Sequence, residues 1–131
     1  MSMGILLFFL ILAILVLSHE FGHFIVAKWV GARVDEFGFG FPPRLFGVKK
    51  GETLYSVNAV PFGGFVKIFG EDPSKEPLTD EEKKRSLSYQ SKKAQAAVIV
   101  AGVAFNFLLA WVLISGGLIM GLPTPVGEEL P

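Results

Sequence analysis

The chain has 131 residues, of which 51% are hydrophobic, and its mean hydropathy is positive. This length suits one domain, and this composition is typical of a membrane protein rather than a soluble one. The 12 basic and 12 acidic residues leave no net charge, so we expect no nucleic-acid partner, and the lack of cysteine excludes disulfides and thiolate metal ligands.

An uncharged stretch opens the chain: no Asp, Glu, Lys or Arg occurs before Glu20, and the apolar run continues to Val30. A helix of these roughly 27 residues would be about 40 Å long, enough to cross a hydrocarbon core of about 30 Å with some tilt. We therefore predict that residues 1–31 contain a first transmembrane helix. A secretory signal peptide is the alternative, but a basic start and a small-residue cleavage site are missing, and the apolar run continues past the polar cluster.

A second uncharged stretch follows, and we predict a second transmembrane helix over residues 94–122. All 12 Lys and Arg fall within residues 28–93, the loop between the two helices. By the positive-inside rule this loop lies in the cytoplasm and both termini lie outside. The sequence therefore predicts a multi-pass protein of the cell's inner (plasma) membrane.

The connecting loop has two parts of different composition. Residues 32–70 are rich in Phe, Val and Gly, which favours β-hairpins, and seven of the 13 Phe lie between Phe37 and Phe69. Either this β region is membrane-associated, or these Phe form the core of a small cytosolic subdomain. Residues 71–93 read as a charged cytoplasmic linker, in which Thr79 and Glu82 predict a capping box and a short surface helix.

His19 and His23 are the only histidines, and their spacing of four places both imidazoles on one face of the first helix. Catalytic zinc usually takes three protein ligands and a water, and Glu20 beside the first histidine is placed to act as general base. HExxH also occurs by chance in soluble proteins. Ionisable groups inside a spanning helix are costly, however, so three of them here indicate a functional site.

Three stretches together resemble a known family: LSHEFGHFIVAKW, PFGGFVKIFG and AGVAFN. Over nearly the whole chain they are similar to the bacterial site-2 proteases, particularly the regulator-of-sigma-E type, which are intramembrane zinc metalloproteases. The resemblance implies that His19 and His23 bind Zn²⁺ and that Glu20 is the catalytic base. It also assigns Gly102 and Asn106 to a motif of the second helix, although the Pro that usually follows this Gly in the family is replaced here by Val103.

The resemblance implies a transmembrane protein as substrate, which must unwind before its backbone is accessible. A strand edge within 57–69, including Gly63 and Gly64, is expected to bind the unwound substrate as an added strand. Asn106 is expected to hydrogen-bond the substrate, although an amide at this position could equally join two helices.

Family members continue with PDZ domains and a third helix whose Leu-Asp-Gly motif supplies the third zinc ligand. Residues 123–131 are expected to begin such a segment, so the chain reads as a truncated core that is inactive alone. Asp35 and Glu36 follow the first helix, close to Arg33, and are not expected to replace the missing aspartate.

The sequence thus predicts a mainly α membrane protein, an incomplete site-2 protease core with two transmembrane helices joined by a cytoplasmic loop that carries a membrane-associated β-hairpin region. One alternative is a non-enzymatic two-helix membrane protein that assembles with or inhibits a complete protease. The absent third ligand favours it, and Glu20, which assembly does not need, opposes it. Another alternative, half of a zinc transporter, would require further ligands in the second helix, where Asn106 is the only strongly polar residue.

Overall fold

A computed structural model describes residues 2–71 and 78–121. The elements in chain order are α1 (Met3–Trp29), β1 (Val34–Lys50), β2 (Thr53–Ile68), α2 (Asp80–Arg85), a 3-10 turn (Leu87–Tyr89) and α3 (Lys92–Met120). The segment 123–131, in which a further domain was expected to begin, lies outside the described residues.

The helices α1 and α3 contain 27 and 29 residues and are long and apolar enough to cross a membrane. Each begins at a serine whose hydroxyl accepts a backbone N–H: Ser2 from Ile5 at 3.3 Å and Ser91 from Ala94 at 3.1 Å. The cap at Ser91 places the start of α3 two residues before the predicted position. The predicted helices therefore exist, with small differences at their ends.

The two long helices pack antiparallel and closely. The Ser18 hydroxyl donates to the Phe105 carbonyl at 3.2 Å. Near this contact a Cβ on Gly22 would collide with the backbone of Ala101. Small residues at a crossing allow two helix backbones to approach, which is common between membrane helices.

The strands β1 and β2 form one antiparallel two-stranded sheet with repeated register shifts. The first half of β1 has partners in both halves of β2: Phe37 lies opposite Tyr55 and also opposite Val66. Gly40 and Gly63 adopt φ of 78° and 94°, which is accessible to glycine and strained for other residues. The predicted hairpins are thus two long strands that bend and fold against each other.

The sheet packs against the second half of α1. The Phe24 ring meets Phe37 and Tyr55 edge-on, with ring centroids 5.3 and 6.0 Å apart. Val34 and Ile68, at the start of β1 and the end of β2, are buried in the same core. This contact holds the sheet beside the half of α1 that carries the histidines.

The bend of the sheet extends along α1 toward its N-terminus, where the Phe62 ring lies 5.6 Å from the Phe9 ring. Phe41, Phe46 and Phe62 are between 44% and 61% exposed. These three side chains lie outside the core, whereas Phe37 packs against it. An exposed aromatic surface beside an apolar helix is compatible with a membrane protein.

The linker contains α2, whose Thr79–Glu82 capping box is present as predicted. Its end is packed rather than solvated: Ser86 is fully buried. The Arg85 carbonyl accepts the Arg33 N–H at 2.9 Å, and the Phe69 carbonyl accepts the Leu87 N–H at 2.9 Å. These bonds tie the linker to the sheet just before α3 begins.

Candidate metal centre

The two histidines of α1 converge on one point. His19 Nε2 and His23 Nε2 lie 3.1 Å apart. Two nitrogens bound to zinc at 2.0–2.1 Å in a tetrahedral arrangement are about 3.3 Å apart. The imidazoles therefore have the geometry of two ligands of one metal ion, and zinc fits them.

The orientation of His23 is set from α3. Its Nδ1 lies 2.6 Å from the carbonyl oxygen of Val98. A carbonyl only accepts hydrogen bonds, so Nδ1 carries a proton, and Nε2 is the ring nitrogen that a metal ion could bind. Such an outer hydrogen bond fixes the tautomer and ring orientation of metal-binding histidines. Because any residue provides a carbonyl, no residue type in the sequence marks this role of Val98.

Gly102 lies where α3 passes closest to the imidazoles. A Cβ at this position would lie 2.6 Å from both His19 Cε1 and His23 Nε2, much closer than van der Waals contact. Only glycine leaves both rings in place. The family resemblance assigned Gly102 to a motif, and the structure supplies a physical reason for glycine there.

Glu20 follows His19 on α1 and is half-buried. The strand β2 passes beside it at Gly64, where a Cβ would lie 3.7 Å from Glu20 Cγ and 3.1 Å from Val16 Cγ1. Gly63 forms the bend next to the Phe41 ring. Of these two predicted site residues, Gly64 is therefore the one that approaches Glu20.

Asn106 lies one turn beyond Gly102 on the same face of α3. Its Oδ1 is buried and has no hydrogen-bond partner within the described parts of the chain. Buried amide oxygens normally accept a hydrogen bond, so this atom has an acceptor position available for a further group.

A third ligand is not present in residues 2–71 and 78–121, where no group of three or more His, Asp or Glu side chains could hold a metal ion. The two carboxylates that follow α1 have other partners. Asp35 Oδ1 lies 2.7 Å from Arg33 Nε, and Glu36 Oε2 accepts from the Ser56 hydroxyl at 2.7 Å. Neither carboxylate takes part in the histidine pair.

A cleft of about 620 Å³ reaches His23 between α1, the end of β2 and the start of α3. Its walls are mainly apolar, and its polar lining residues include Glu71, Lys92 and Gln95. Shielding from solvent raises the pKa of the Glu71 carboxyl above its usual range, and the charge of Glu20 adds to this rise. The Ile68 N–H, which donates to Glu71 at 3.3 Å, and His23 oppose it. In the sequence Glu71 falls in the predicted solvated linker, so this position was not anticipated.

Comparisons with known proteins agree with this geometry. The family model described as peptidase family M50 matches residues 7–128. The zinc metalloprotease Rip1 of Mycobacterium tuberculosis is 41% identical over 121 residues, which are 92% of this chain and 30% of that protein. A Clostridium perfringens protein, whose name marks it as a zinc metalloprotease by prediction, is 44% identical over 102 residues, 78% of this chain and 29% of its own.

A Mesorhizobium japonicum protein with a name of the same kind is 40% identical over 126 residues, 88% of this chain and 34% of that protein. The chain thus spans about a third of the length of the curated relatives it matches. The resemblance drawn from the sequence is confirmed: the chain belongs to peptidase family M50, the site-2 protease family.

Proposed function

We propose that this chain is the HExxH-bearing part of an intramembrane zinc metalloprotease that cleaves transmembrane proteins. The observation that carries the proposal is the convergence of His19 Nε2 and His23 Nε2, with His23 oriented by the Val98 carbonyl. Relatives named as zinc metalloproteases support the same activity.

His19 and His23 hold the zinc ion in this proposal, and an aspartate from a segment outside these 131 residues completes the ligand set. When bound, zinc polarises the substrate carbonyl and lowers the pKa of a coordinated water. Gly102 keeps the space beside both imidazoles free of side-chain atoms. By itself the chain binds zinc weakly and does not cleave substrate.

Glu20 is the general base. It accepts a proton from the attacking water and later donates that proton to the nitrogen of the leaving amine. Its position one residue after His19 is the position of the general base in the HExxH motif, in which the two histidines would hold the zinc ion.

The substrate binds as an added strand along the 57–69 segment of β2. In the described sheet, residues 64–68 pair with the first half of β1 and are at the edge of the sheet. Gly64 has no side chain, so β2 can pass close to Glu20 at this point. The backbone of an extended substrate paired with β2 beside Gly64 would therefore lie near Glu20. Asn106 Oδ1, which needs a donor, accepts a backbone N–H of the substrate.

The helices α1 and α3 span the inner membrane, with the connecting loop in the cytoplasm and both termini outside. The outward side chains of both helices are large, apolar and exposed, which is unfavourable in water and suits lipid. The exposed Phe41, Phe46 and Phe62 contact lipid at the membrane face.

The proposal is tested by the Glu20→Gln variant of the complete protein, joined to its C-terminal segment. We expect this variant to bind as much zinc as the wild type and to lose about 10²–10⁴-fold in cleavage rate of a transmembrane substrate, the contribution of a general base. Cleavage at the wild-type rate would contradict the role of Glu20.

One observation favours a non-enzymatic role, namely that the described residues hold two metal ligands and no third. In that case the chain is a two-helix partner that assembles with or inhibits a complete protease. If the complete protein neither binds zinc nor cleaves any substrate, this second function replaces the first.

A further inference from the structure

A buried carboxylate lies in the sheet, apart from the metal centre. Glu36 is only 7% exposed, and its Oε2 accepts a hydrogen bond from the Ser56 hydroxyl at 2.7 Å. Its Oε1 lies 3.7 Å from both Arg44 Nη2 and Lys67 Nζ. The proposed proteolytic mechanism uses none of these groups. A buried carboxylate is costly unless it is paired, so its place in this sheet needs a reason.

Glu36 lies in the first half of β1, between the two halves of β2. Ser56 belongs to the first half of β2 and Lys67 to the second half, whereas Arg44 belongs to the second half of β1. One carboxylate therefore connects all four segments of the bent sheet.

The apolar pattern of β1 does not by itself fix the register of the sheet. Residues 37–41 alternate Phe and Gly, so a slip of two residues leaves the same residue types on the same faces. Such a slip would move Ser56 about 7 Å along the strand and leave Glu36 buried without its donor. Asn58 Nδ2, which donates to the Phe39 carbonyl at 3.1 Å, opposes the same slip. These polar contacts distinguish registers that the Phe-Gly alternation leaves equivalent.

The register determines where the bend of β2 lies along α1. In this register Phe62 lies against Phe9, and Gly64 passes Val16 and Glu20. Because β2 is continuous, a slip of its first half would move the bend along α1. Another residue of β2 would then take the place of Gly64, and its side chain would meet Glu20.

We propose that Glu36 is a positioning residue that selects the register of β1 and β2 and so holds the Gly64 edge beside Glu20. Its effect on catalysis rests on the proposed function, since it requires that this edge bind substrate. The position of the bend, however, can be measured without zinc or substrate.

The chain has no cysteine, so a Phe9→Cys, Phe62→Cys pair joined by a short thiol-specific cross-linker reports the position of the bend. The decisive variant is Glu36→Leu. The side chains of Arg44 and Lys67 are 51% and 67% exposed, so this change leaves no buried charge without a partner, and the variant should still fold. Without the carboxylate, a slipped register no longer leaves a buried charged group without its hydrogen-bond donor. Slipped registers should therefore become populated, and the cross-link yield should fall about ten-fold.

Two further variants separate register selection from general packing. Glu36→Gln keeps an acceptor for Ser56 and should retain most of the cross-link yield. Asp35→Asn is the matched control, since Asp35 is the neighbouring carboxylate and pairs with Arg33 on the surface at 2.7 Å. If Glu36→Leu does not fold, Ser56→Ala removes the donor alone and should lower the yield in the same direction.

In the complete protease, Glu36→Leu should raise KM for a transmembrane substrate several-fold more than it lowers kcat. A folded Glu36→Leu or Ser56→Ala variant with the parent's cross-link yield would overturn the proposal. So would equal losses in Glu36→Leu and Asp35→Asn. A normal cross-link pattern in a protein without proteolytic activity would instead count against the proposed function alone.

Discussion

At the scale of single residues, Gly102 lies where two imidazoles leave no space for a side chain. Gly102→Ala would place Cβ 2.6 Å from His19 Cε1 and His23 Nε2, so one ring must turn away. We expect zinc affinity to fall about 10–100-fold, as it does when the surroundings of metal-binding histidines are disturbed. Competition with a fluorescent zinc chelator measures the change.

Gly116→Ala is the matched control, because Gly116 lies on the same helix and a Cβ added there would meet no neighbouring atom within 4 Å. It should bind zinc like the wild type. Equal zinc affinity of Gly102→Ala and Gly116→Ala would mean that the rings are not held against α3.

Because Glu71 is partly shielded in the cleft, the stability of the folded protein should depend on pH. Because shielding from solvent raises the pKa of its carboxyl above the ordinary 4.5, the folded state holds the proton more tightly than the unfolded state. This contribution to stability is present below about pH 4.5 and is lost as pH rises through the folded-state pKa. Glu71 is partly exposed, so the effect is small.

The unfolding temperature of Glu71→Gln should therefore fall less between acid and neutral pH than that of the wild type. Thermal unfolding in detergent at several pH values measures it, with the exposed Glu81→Gln as control. A wild type and Glu71→Gln variant with parallel pH profiles would show that the cleft does not shield this carboxyl.

The residues of the site divide into those that a sequence can reveal and those that it cannot. The convergence of His19 and His23 could be predicted, because a spacing of four puts both imidazoles on one helix face. The Val98 carbonyl could not, because a backbone group has no signature in residue type. The approach of Gly64 to Glu20 depends on contacts between distant elements, and the partner of Glu36 proved to be Ser56, 20 positions away.

At the scale of elements, the long helices were predictable because residues 1–27 and 94–120 contain no Asp, Glu, Lys or Arg apart from Glu20. The predicted β region also begins and ends close to the observed strands. Its path was not predictable, because a Phe-Gly alternation permits more than one register and the bends depend on glycines with positive φ at Gly40 and Gly63.

The edge of β2 gives a prediction about substrate binding. A photoreactive phenylalanine analogue in place of Phe65, on the edge segment beside Glu20, should cross-link a bound transmembrane substrate. The same analogue in place of Phe46, on the opposite segment of the sheet, is the control and should cross-link little. Equal yields at both positions, measured by gel shift in the complete protein, would contradict strand addition at this edge.

At the scale of the whole molecule, the charge distribution predicts the orientation in the membrane. All Lys and Arg lie within residues 28–93, in the loop or at the helix ends that border it, so Lys49→Cys should be labelled by a membrane-impermeant maleimide only from the cytoplasmic side. Met120→Cys, at the end of α3, should be labelled only from outside. Because the parent chain has no cysteine, each single-cysteine variant reports one position. Labelling of Lys49→Cys from outside would reverse the proposed topology.

We propose that α1 and α3 form part of a zinc site that another segment completes. The decisive experiment is zinc stoichiometry in detergent, for this chain with and without a C-terminal segment that contains a Leu-Asp-Gly helix, and for His19→Ala with that segment. We predict about one zinc per complex with the segment present, little zinc without it, and loss of the zinc in His19→Ala. Equal zinc binding by His19→Ala and the wild type, or no zinc in any combination, would contradict this claim.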